Sequence, residues 1–457
     1  MKAPLMAVIL PSTIILLGAV FLVPAEAKLP LRKNKAERFV PKSGAPPEGP
    51  AKWFYIEGIT TPANNGPNSS EAQVGFDNLT NGYATQGPDF DTITKDNVIP
   101  TRSFNDGRFV FEAPETQKLG LGPIYNATSC VTCHGNIVTG GDSQVTVQRT
   151  GHTEGGVFFE SQGGSLIQSR ATYPDIVEHV IDTDETRALR ISPAVLGDGY
   201  IECVSDSTIT AIRDAQPPDV QGTAPEVPVM EGDGSARIGR FGWKAQHASI
   251  ISFAADAYNA EMGVTSPLFP DENTSSGTFV GYGTSYDPMP DPEDDGDDID
   301  GFALFVRSTK APPRGQITAQ VRLGEKRFTQ IGCAVCHVAS ITTLSAGVVI
   351  NGGSFVVPTA LGDKVFHPYS DFLLHDVGTG DGIPIQPLPE YADTANKIKT
   401  PPLWGLRTRN RLMHDGLSCT LNDAIQRHQG QAATSVAAFN LLPDADKARV
   451  LAFLQSL

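Results

Sequence analysis

Two copies of a five-residue pattern constrain this chain more than any other feature: Cys130-Val131-Thr132-Cys133-His134 and Cys333-Ala334-Val335-Cys336-His337. On a helix, residues three and four apart share a face. Both thiols of one copy can therefore reach the vinyl groups of a porphyrin while the following His turns its imidazole to the iron. Cys-x-x-Cys-His is the attachment pattern of c-type haem. Two copies predict two covalently bound haem c groups, held by Cys130, Cys133, Cys333 and Cys336, with His134 and His337 on the irons. Zinc fits less well, because it takes four ligands, usually from paired Cys/His clusters. Only Cys203 and Cys419 remain of the six cysteines. A thioredoxin-like pair needs no His after its second Cys. Redox chemistry then follows from the metal more than from the fold.

At 457 residues the chain has room for two or three domains. It opens with Lys2, an apolar stretch from Ala3 to Val23 and Pro24-Ala25-Glu26-Ala27. That order predicts a signal peptide over 1–27, cleaved after Ala27, with an uncleaved anchor as the alternative. No later segment approaches a membrane span in length, so the mature chain is not expected to be an integral membrane protein. Export to the periplasm, or its equivalent outside the cell membrane, suits haem attachment. A net charge of −16 argues against nucleic acid and anionic lipid. It suits a basic electron-transfer partner, although an acidic solvated surface is the more common explanation. In an oxidising compartment Cys203 and Cys419 form either a disulfide or two buried thiols.

Along the chain, residues 28–107 are rich in Gly, Pro, Asn and Thr with little periodicity, which predicts an irregular wrap. Gln144–Gln148 alternates like a short strand, and Gly347–Val357 predicts a hairpin around Asn-Gly. The acidic run from Asp287 to Asp300 invites a calcium reading, but its spacing does not match an EF-hand loop. Asp297-Asp298-Ile299-Asp300 leads straight into Phe302-Ala303-Leu304-Phe305-Val306. Carboxylates at the start of a helix account for it, and calcium has no support from the spacing. Ala311-Pro312-Pro313-Arg314-Gly315 closes that helix and marks a linker. The last residues, Asp444 to Leu457, predict an amphipathic helix with Val450, Leu451, Phe453, Leu454 and Leu457 as its apolar stripe.

The two halves repeat beyond the haem motifs. Ser192-Pro193-Ala194-Val195-Leu196-Gly197 matches Thr400-Pro401-Pro402-Leu403-Trp404-Gly405, and Trp243 to Ser249 matches His414 to Thr420. Pro193 lies 59 residues after His134 and Pro401 lies 64 after His337. Two related units are the simplest account. The expected fold is mainly α, with two cytochrome c-like domains, long irregular loops and small β-hairpin excursions. The first domain spans 108–310 and carries haem 1; the second spans 316–457 and carries haem 2.

Several motifs carry a resemblance to a known family. They are Gly120-Leu121-Gly122-Pro123-Ile124-Tyr125-Asn126, Gly239 to Ala245, Glu261 to Thr265, Leu373 to Gly378, Thr400 to Gly405 and His414-Asp415-Gly416. The chain resembles the di-haem cytochrome c peroxidase superfamily, which includes the methylamine-dehydrogenase maturase. Within it, the chain is most similar to the di-haem oxidoreductases, described as peroxidases or thiol oxidoreductases. No thiol-handling residue supports the second description. The resemblance runs from about residue 105 to the end.

In that superfamily the second haem's distal ligand sits eight residues after the Thr that starts a Thr-Leu helix. Thr420 plus eight is His428, which implies a bis-His iron between His337 and His428; Met413 and His414 are the competitors. Bis-imidazole ligation lowers the potential relative to His/Met. The same count from Ser249 reaches Ala257, where the superfamily's oxygen-activating haem has a non-ligating Pro. The His134 haem is therefore expected to be open to peroxide, with His247, His152 and Met262 as other possible sixth ligands. The superfamily's catalytic Glu lies six residues beyond that Pro. Here that position is Gly263, and the nearest carboxylate is Glu261, two residues early. Glu261 is the candidate catalytic acid–base, against a plain surface Glu at a helix end. Trp243 matches the superfamily's Trp between the haems, where it would relay electrons, against a packing Trp. The resemblance implies an exported peroxidase-like oxidoreductase, with a small redox protein or quinol-linked donor and hydrogen peroxide or another small oxidant. The alternatives are a non-catalytic electron carrier and a haem oxygenase or maturase.

Overall fold

The computed structural model describes residues 69–87, 103–232 and 234–457; the expected leader and most of 28–107 lie outside them. Helices make up 31% of the described residues and strands 16%, so helix outweighs strand without making it incidental. Among the described residues, no helix is long and apolar enough to cross a membrane.

The larger core forms around two crossed helices. Ser103 caps the helix Phe104–Glu112 in a reciprocal box with Asp106. The helix Asp297–Ser308 starts with Asp297, Asp298 and Asp300 in its first turn, as the carboxylate pattern predicts. Phe111 meets Phe305 across this pair at 4.9 Å between ring centres, and Tyr258 from the helix Ile250–Met262 meets Phe302 edge-on at 5.0 Å. The same core takes in Ile350, Phe355, Val357, Phe366 and Trp404 from the second half of the chain. The predicted hairpin delivers some of these: Val349–Ile350 pairs with Phe355–Val356 around a turn at Asn351–Gly353.

The smaller core lies between the helix Ala319–Gln330 and the C-terminal helix Asp444–Leu454. Val450, Phe453, Leu454 and Leu457 are buried, and Phe453 packs on Phe328 at 5.2 Å. Burying side chains of this size stabilises by about 1.5–3 kcal/mol each. The two helices cross very closely at Gly324, where a Cβ would lie 1.9 Å from the Arg449 carbonyl oxygen. The C-terminal helix thus closes against the helix that precedes the second haem motif.

The β content exceeds the sequence expectation. Thr146–Glu154 is a nine-residue strand, paired antiparallel with Val157–Glu160, Leu166–Ile167 and Thr186–Ile191. The excursion at Gln144–Gln148 is therefore part of a four-stranded sheet. The strand's sequence, Thr-Val-Gln-Arg-Thr-Gly-His-Thr-Glu, is polar on both faces, so period-two alternation could not reveal its length.

The internal repeat is structural. Phe241 bridges His247, and Leu412 bridges Ser418, at positions each 171 residues apart. Left-handed backbone recurs at the same separation: Gly242 with Met413, and Ala245 with Gly416. Ser249 and Thr420, also equivalent, each accept an amide proton three residues on and start a helix.

Candidate active site

Both Cys-x-x-Cys-His segments fold as single tight turns. The first is a helical turn, Cys130–Cys133, and the second a 3-10 turn, Cys333–Val335. In each, the His amide bonds back to the carbonyl of the first Cys, at 2.9 Å for His134 and 3.0 Å for His337. All four thiols are free and half-buried.

His337 and His428 form the second site. The His337 Nδ1 lies 2.9 Å from the Tyr369 carbonyl oxygen, and the His428 Nδ1 lies 2.7 Å from that of Ala424. Each carbonyl holds its ring as the Nδ1–H tautomer and leaves Nε2 uncommitted. Burial pushes His337 down to about 4, helped by the nearby His428, and burial lowers His428 as well. Two neutral imidazoles with free Nε2 atoms are what a ferric or ferrous iron needs from its axial ligands. Thr420 accepts from the Asp423 amide at 3.0 Å and starts the short helix Leu421–Arg427, which ends at His428. Met413 packs against the second core, and His414 Nε2 is bound to the Thr379 carbonyl, so His414 fixes its turn.

The first site lies under the helix Ile250–Met262. Ser249 accepts from the Ser252 amide at 3.1 Å, and the Glu202 carboxylate accepts from the Ile250 amide at 2.9 Å. Gly263, with φ of 68°, closes the helix. Ile250, Ala255, Tyr258, Asn259 and Met262 face the core, whereas Phe253, Ala254, Ala257 and Glu261 share a half-buried face. Glu261 is close enough to Cys133 that its charge helps burial push that thiol up to about 11. On the other side of the turn, burial pushes His134 down to about 4, with the backbone of Gly141 and Pro193 opposing. Its Nδ1 is buried without a regular hydrogen bond. The cysteine pairs, the neutral imidazoles and the small Ala257 together fit two c-type haems.

Glu261 is no surface residue at a helix end. The Asn126 amide donates to its Oε2 at 2.9 Å, and burial raises its carboxyl above the ordinary range, against the pull of Arg149. Ala257 and Glu261 stand one helical turn apart and therefore on one face. Six residues beyond Ala257 would have turned away from that face, whereas four places the Glu261 carboxyl on it. The rival sixth ligands have other commitments. His247 Nε2 lies 3.0 Å from Asp256, His152 stacks on Phe159 and faces Asp184 at 3.4 Å, and Met262 is inside the core. Asp256, Arg149 and Asn126 were missing from the sequence expectation. His247 holds the Asp256 carboxyl below its usual range despite burial, whereas Glu261 is raised. Two neighbouring carboxyls with opposed shifts are a proton-handling arrangement. Asp256 directly precedes the counted position Ala257, the one signal that could have drawn attention to it.

Trp243 stands where the halves meet. Its Nε1 donates to the Ile191 carbonyl at 2.8 Å, and its ring meets His414 edge-on at 6.1 Å. These two residues are equivalents in the repeat, so the halves touch through matching positions. Next to it, Asp381 pairs with Arg190 at 2.7 Å and Lys244 at 2.9 Å, all three buried. Cys203 and Cys419 are not bonded: Cys203 is buried in the larger core and Cys419 is exposed.

A family model described as "Di-haem oxidoreductase, putative peroxidase" matches residues 159–457. The chain belongs to this di-haem oxidoreductase family. The match includes the second haem motif and begins after the first. No curated protein matches the chain in sequence. Among solved structures, hydrazine synthase from Kuenenia stuttgartiensis is 14% identical, with 82% of this chain and 97% of that chain covered and a TM-score of 0.35. A MauG-like protein associated with microbial copper homeostasis is 15% identical, covering 82% and 92%, with a TM-score of 0.35. The diheme peroxidase BthA from Burkholderia thailandensis E264 is 14% identical, covering 84% and 92%, with a TM-score of 0.34. Membership of the di-haem oxidoreductase family rests on the sequence match alone.

Proposed function

We propose that this di-haem oxidoreductase is an exported, peroxidase-like enzyme with two unequal c-type haems. His337 and His428 would hold the electron-transfer haem, and His134 would hold the other, with no second protein ligand from the equivalent helix. The observation that carries the reading is the asymmetry between equivalent helices. Eight residues past Thr420 stands His428, and eight past Ser249 stands Ala257, with the raised Glu261 carboxyl one turn beyond.

Haem iron supplies, when bound, the electrons and the binding position for the overall change H2O2 + 2e⁻ + 2H⁺ → 2H2O. The chain's residues do the rest. Ala257, at the place where the second unit has His428, offers no side chain that could ligate the iron held by His134. Glu261, oriented by Asn126, takes a proton from one peroxide oxygen and returns it to the other, a role worth roughly 10²–10⁴-fold. Arg149 and Asp256 set the charge around it. Trp243, in contact with His414, bridges the halves on the route between the haems. A basic small redox protein or a quinol-linked donor suits the acid surface, and the leader over 1–27 is the basis for export.

The test is the absorption spectrum of the reduced protein with carbon monoxide, followed by peroxide turnover. One haem should bind CO and one should not. If neither shows a high-spin or CO-reactive signal, the protein is an electron carrier with two closed irons. Turnover with O₂ or a protein substrate but not with peroxide would instead favour an oxygenase or maturase.

A further inference from the structure

Around the acidic run, four carboxylates converge with no cation among them. One oxygen each from Glu272, Asp287, Asp291 and Glu293 lies within 4.8 Å of the others. They come from the loop after the helix Ile250–Met262 and from the first part of the acidic run. Asp287 is 4% exposed and Glu293 1% exposed. The Asp287 Oδ2, the Glu293 Oε1 and both carboxylate oxygens of Glu272 are buried without a hydrogen-bond donor. Among the bonds that do exist, Asp287 Oδ1 accepts from the Met289 amide at 2.9 Å, Glu293 Oε2 from the Thr265 amide at 2.8 Å, and Asp291 Oδ1 from the Thr265 hydroxyl at 3.4 Å. The neighbours that act on Glu272 and Glu293 are other carboxylates and Thr265, with the Glu272 and Asp287 carboxyls in hydrogen-bonding contact with each other. Buried carboxylates stripped of water and left without a counter-charge are strongly unfavourable. Four carboxylates gathered this closely, with Asp287 and Glu293 deeply buried, Glu272 half-buried and Asp291 exposed, call for a cation.

We propose that Glu272, Asp287, Asp291 and Glu293 form a calcium site. The donor set is all oxygen, with neither imidazole nor thiolate, which selects a hard cation over zinc or copper. The ligands come from irregular loops, and waters can complete the shell. Calcium accepts about 6–8 oxygens in flexible geometry, whereas magnesium demands a near-ideal octahedron. Without a cation, burial and the neighbouring carboxylates push Glu272 up to about 10, and burial pushes Glu293 up to about 7. Protons then hold the place of the metal, so calcium uptake at neutral pH should release protons.

The site has a structural purpose. Glu293 binds both the amide and the hydroxyl of Thr265, in the turn that ends the helix bearing Glu261. Gly120 lies against Glu293, where a Cβ would come within 2.7 Å of its Cβ. Gly122 is just as close to Gly263. A cation on Glu293 would therefore pin the C-terminal end of the active-site helix to the loop that leads into the first haem motif.

The test uses the full-length haem-loaded protein, stripped with EGTA and desalted. Calcium titration by calorimetry, in two buffers of different ionisation enthalpy, should show binding with proton release. Saturating calcium should raise Tm by several degrees, and equimolar magnesium should not. Asp287→Asn keeps the acceptor for Met289 and should weaken calcium binding at least tenfold. Glu272→Gln with Glu293→Gln should lower the calcium content, measured by elemental analysis, by one equivalent per chain. Calcium content unchanged in these variants, or no calcium binding by the stripped protein, would overturn the proposal. A double variant that is more stable than the wild type, with calcium content unaltered, would show a proton-sharing carboxylate cluster instead.

Discussion

The role proposed for Glu261 rests on its surroundings. Its carboxyl is buried, held by Asn126 and raised, while Asp256 five residues earlier is lowered by His247. As a base it must be ionised, so peroxide turnover should rise with pH through a value above the ordinary carboxylate pKa of about 4.3. Glu261→Gln should cost roughly 10²–10⁴-fold in kcat and abolish that limb of the profile, with both haem spectra unchanged. Retained turnover in this variant would leave Glu261 a structural residue. At the second iron, His428→Gly should convert a low-spin signal to high-spin. A spectrum identical to wild type would reject His428 as the ligand. Neither role could be read fully from one dimension. His428 followed from a count, but the identity of Glu261 needed the helix that puts it on the Ala257 face.

At the level of elements, the close crossing of Ala319–Gln330 and Asp444–Leu454 depends on Gly324. A methyl there meets the Arg449 backbone, and backbone cannot rotate away. Gly324→Ala should force the helices apart and cost about 1–3 kcal/mol, visible as a lower urea midpoint with m unchanged. The apolar stripe Val450, Phe453, Leu454 and Leu457 was legible because a helix that buries one face shows its period in the sequence. The strand Thr146–Glu154 was not legible. Its pairing partners, not its own alternation, hold it, and all three lie downstream in the chain.

Across the whole molecule, buried charge joins the two halves. Asp381 sits between Arg190 and Lys244, and these neighbours hold its carboxyl down to about 2 against burial. A depressed carboxylate stabilises above its unfolded pKa of about 3.9, and that contribution disappears as pH falls through the folded value. The Asp381 carboxylate's contribution should therefore be present at neutral pH and begin to fail only below about pH 4, while burial pushes Lys244 down to about 8 and so works against the triad. Asp381→Asn leaves two buried cations without a partner and should cost about 3–5 kcal/mol, read as a fall in Tm. Because Lys244 follows Trp243, electron transfer between the haems should slow in the same variant. A second bond of this kind ties Glu202 to Arg307 at 2.6 Å and to Asn351 of the hairpin at 2.9 Å, while Glu202 also caps the active-site helix. The net charge of −16 acts at longer range. With a basic donor, the second-order rate should fall steeply as ionic strength rises past about 0.1 M, where screening acts within about 10 Å.

Local chemistry was written in the sequence, because it depends on neighbours a few residues away. The Cys-x-x-Cys-His turns, the Ser249 and Thr420 caps, the acidic start at Asp297 and the C-terminal stripe all close within one or two helical turns. The repeat was legible too, since Trp243 and His414 occupy matching places in two copies of one pattern. Contacts between distant segments were decided only by the tertiary structure. It brought Trp243 against His414, Asp381 between Arg190 and Lys244, and Asn351 onto Glu202. It also gathered Glu272, Asp287, Asp291 and Glu293, which no loop spacing matches. The physical reason is burial: a pKa, an orphaned oxygen or an ion pair belongs to an environment that separate stretches of chain create together.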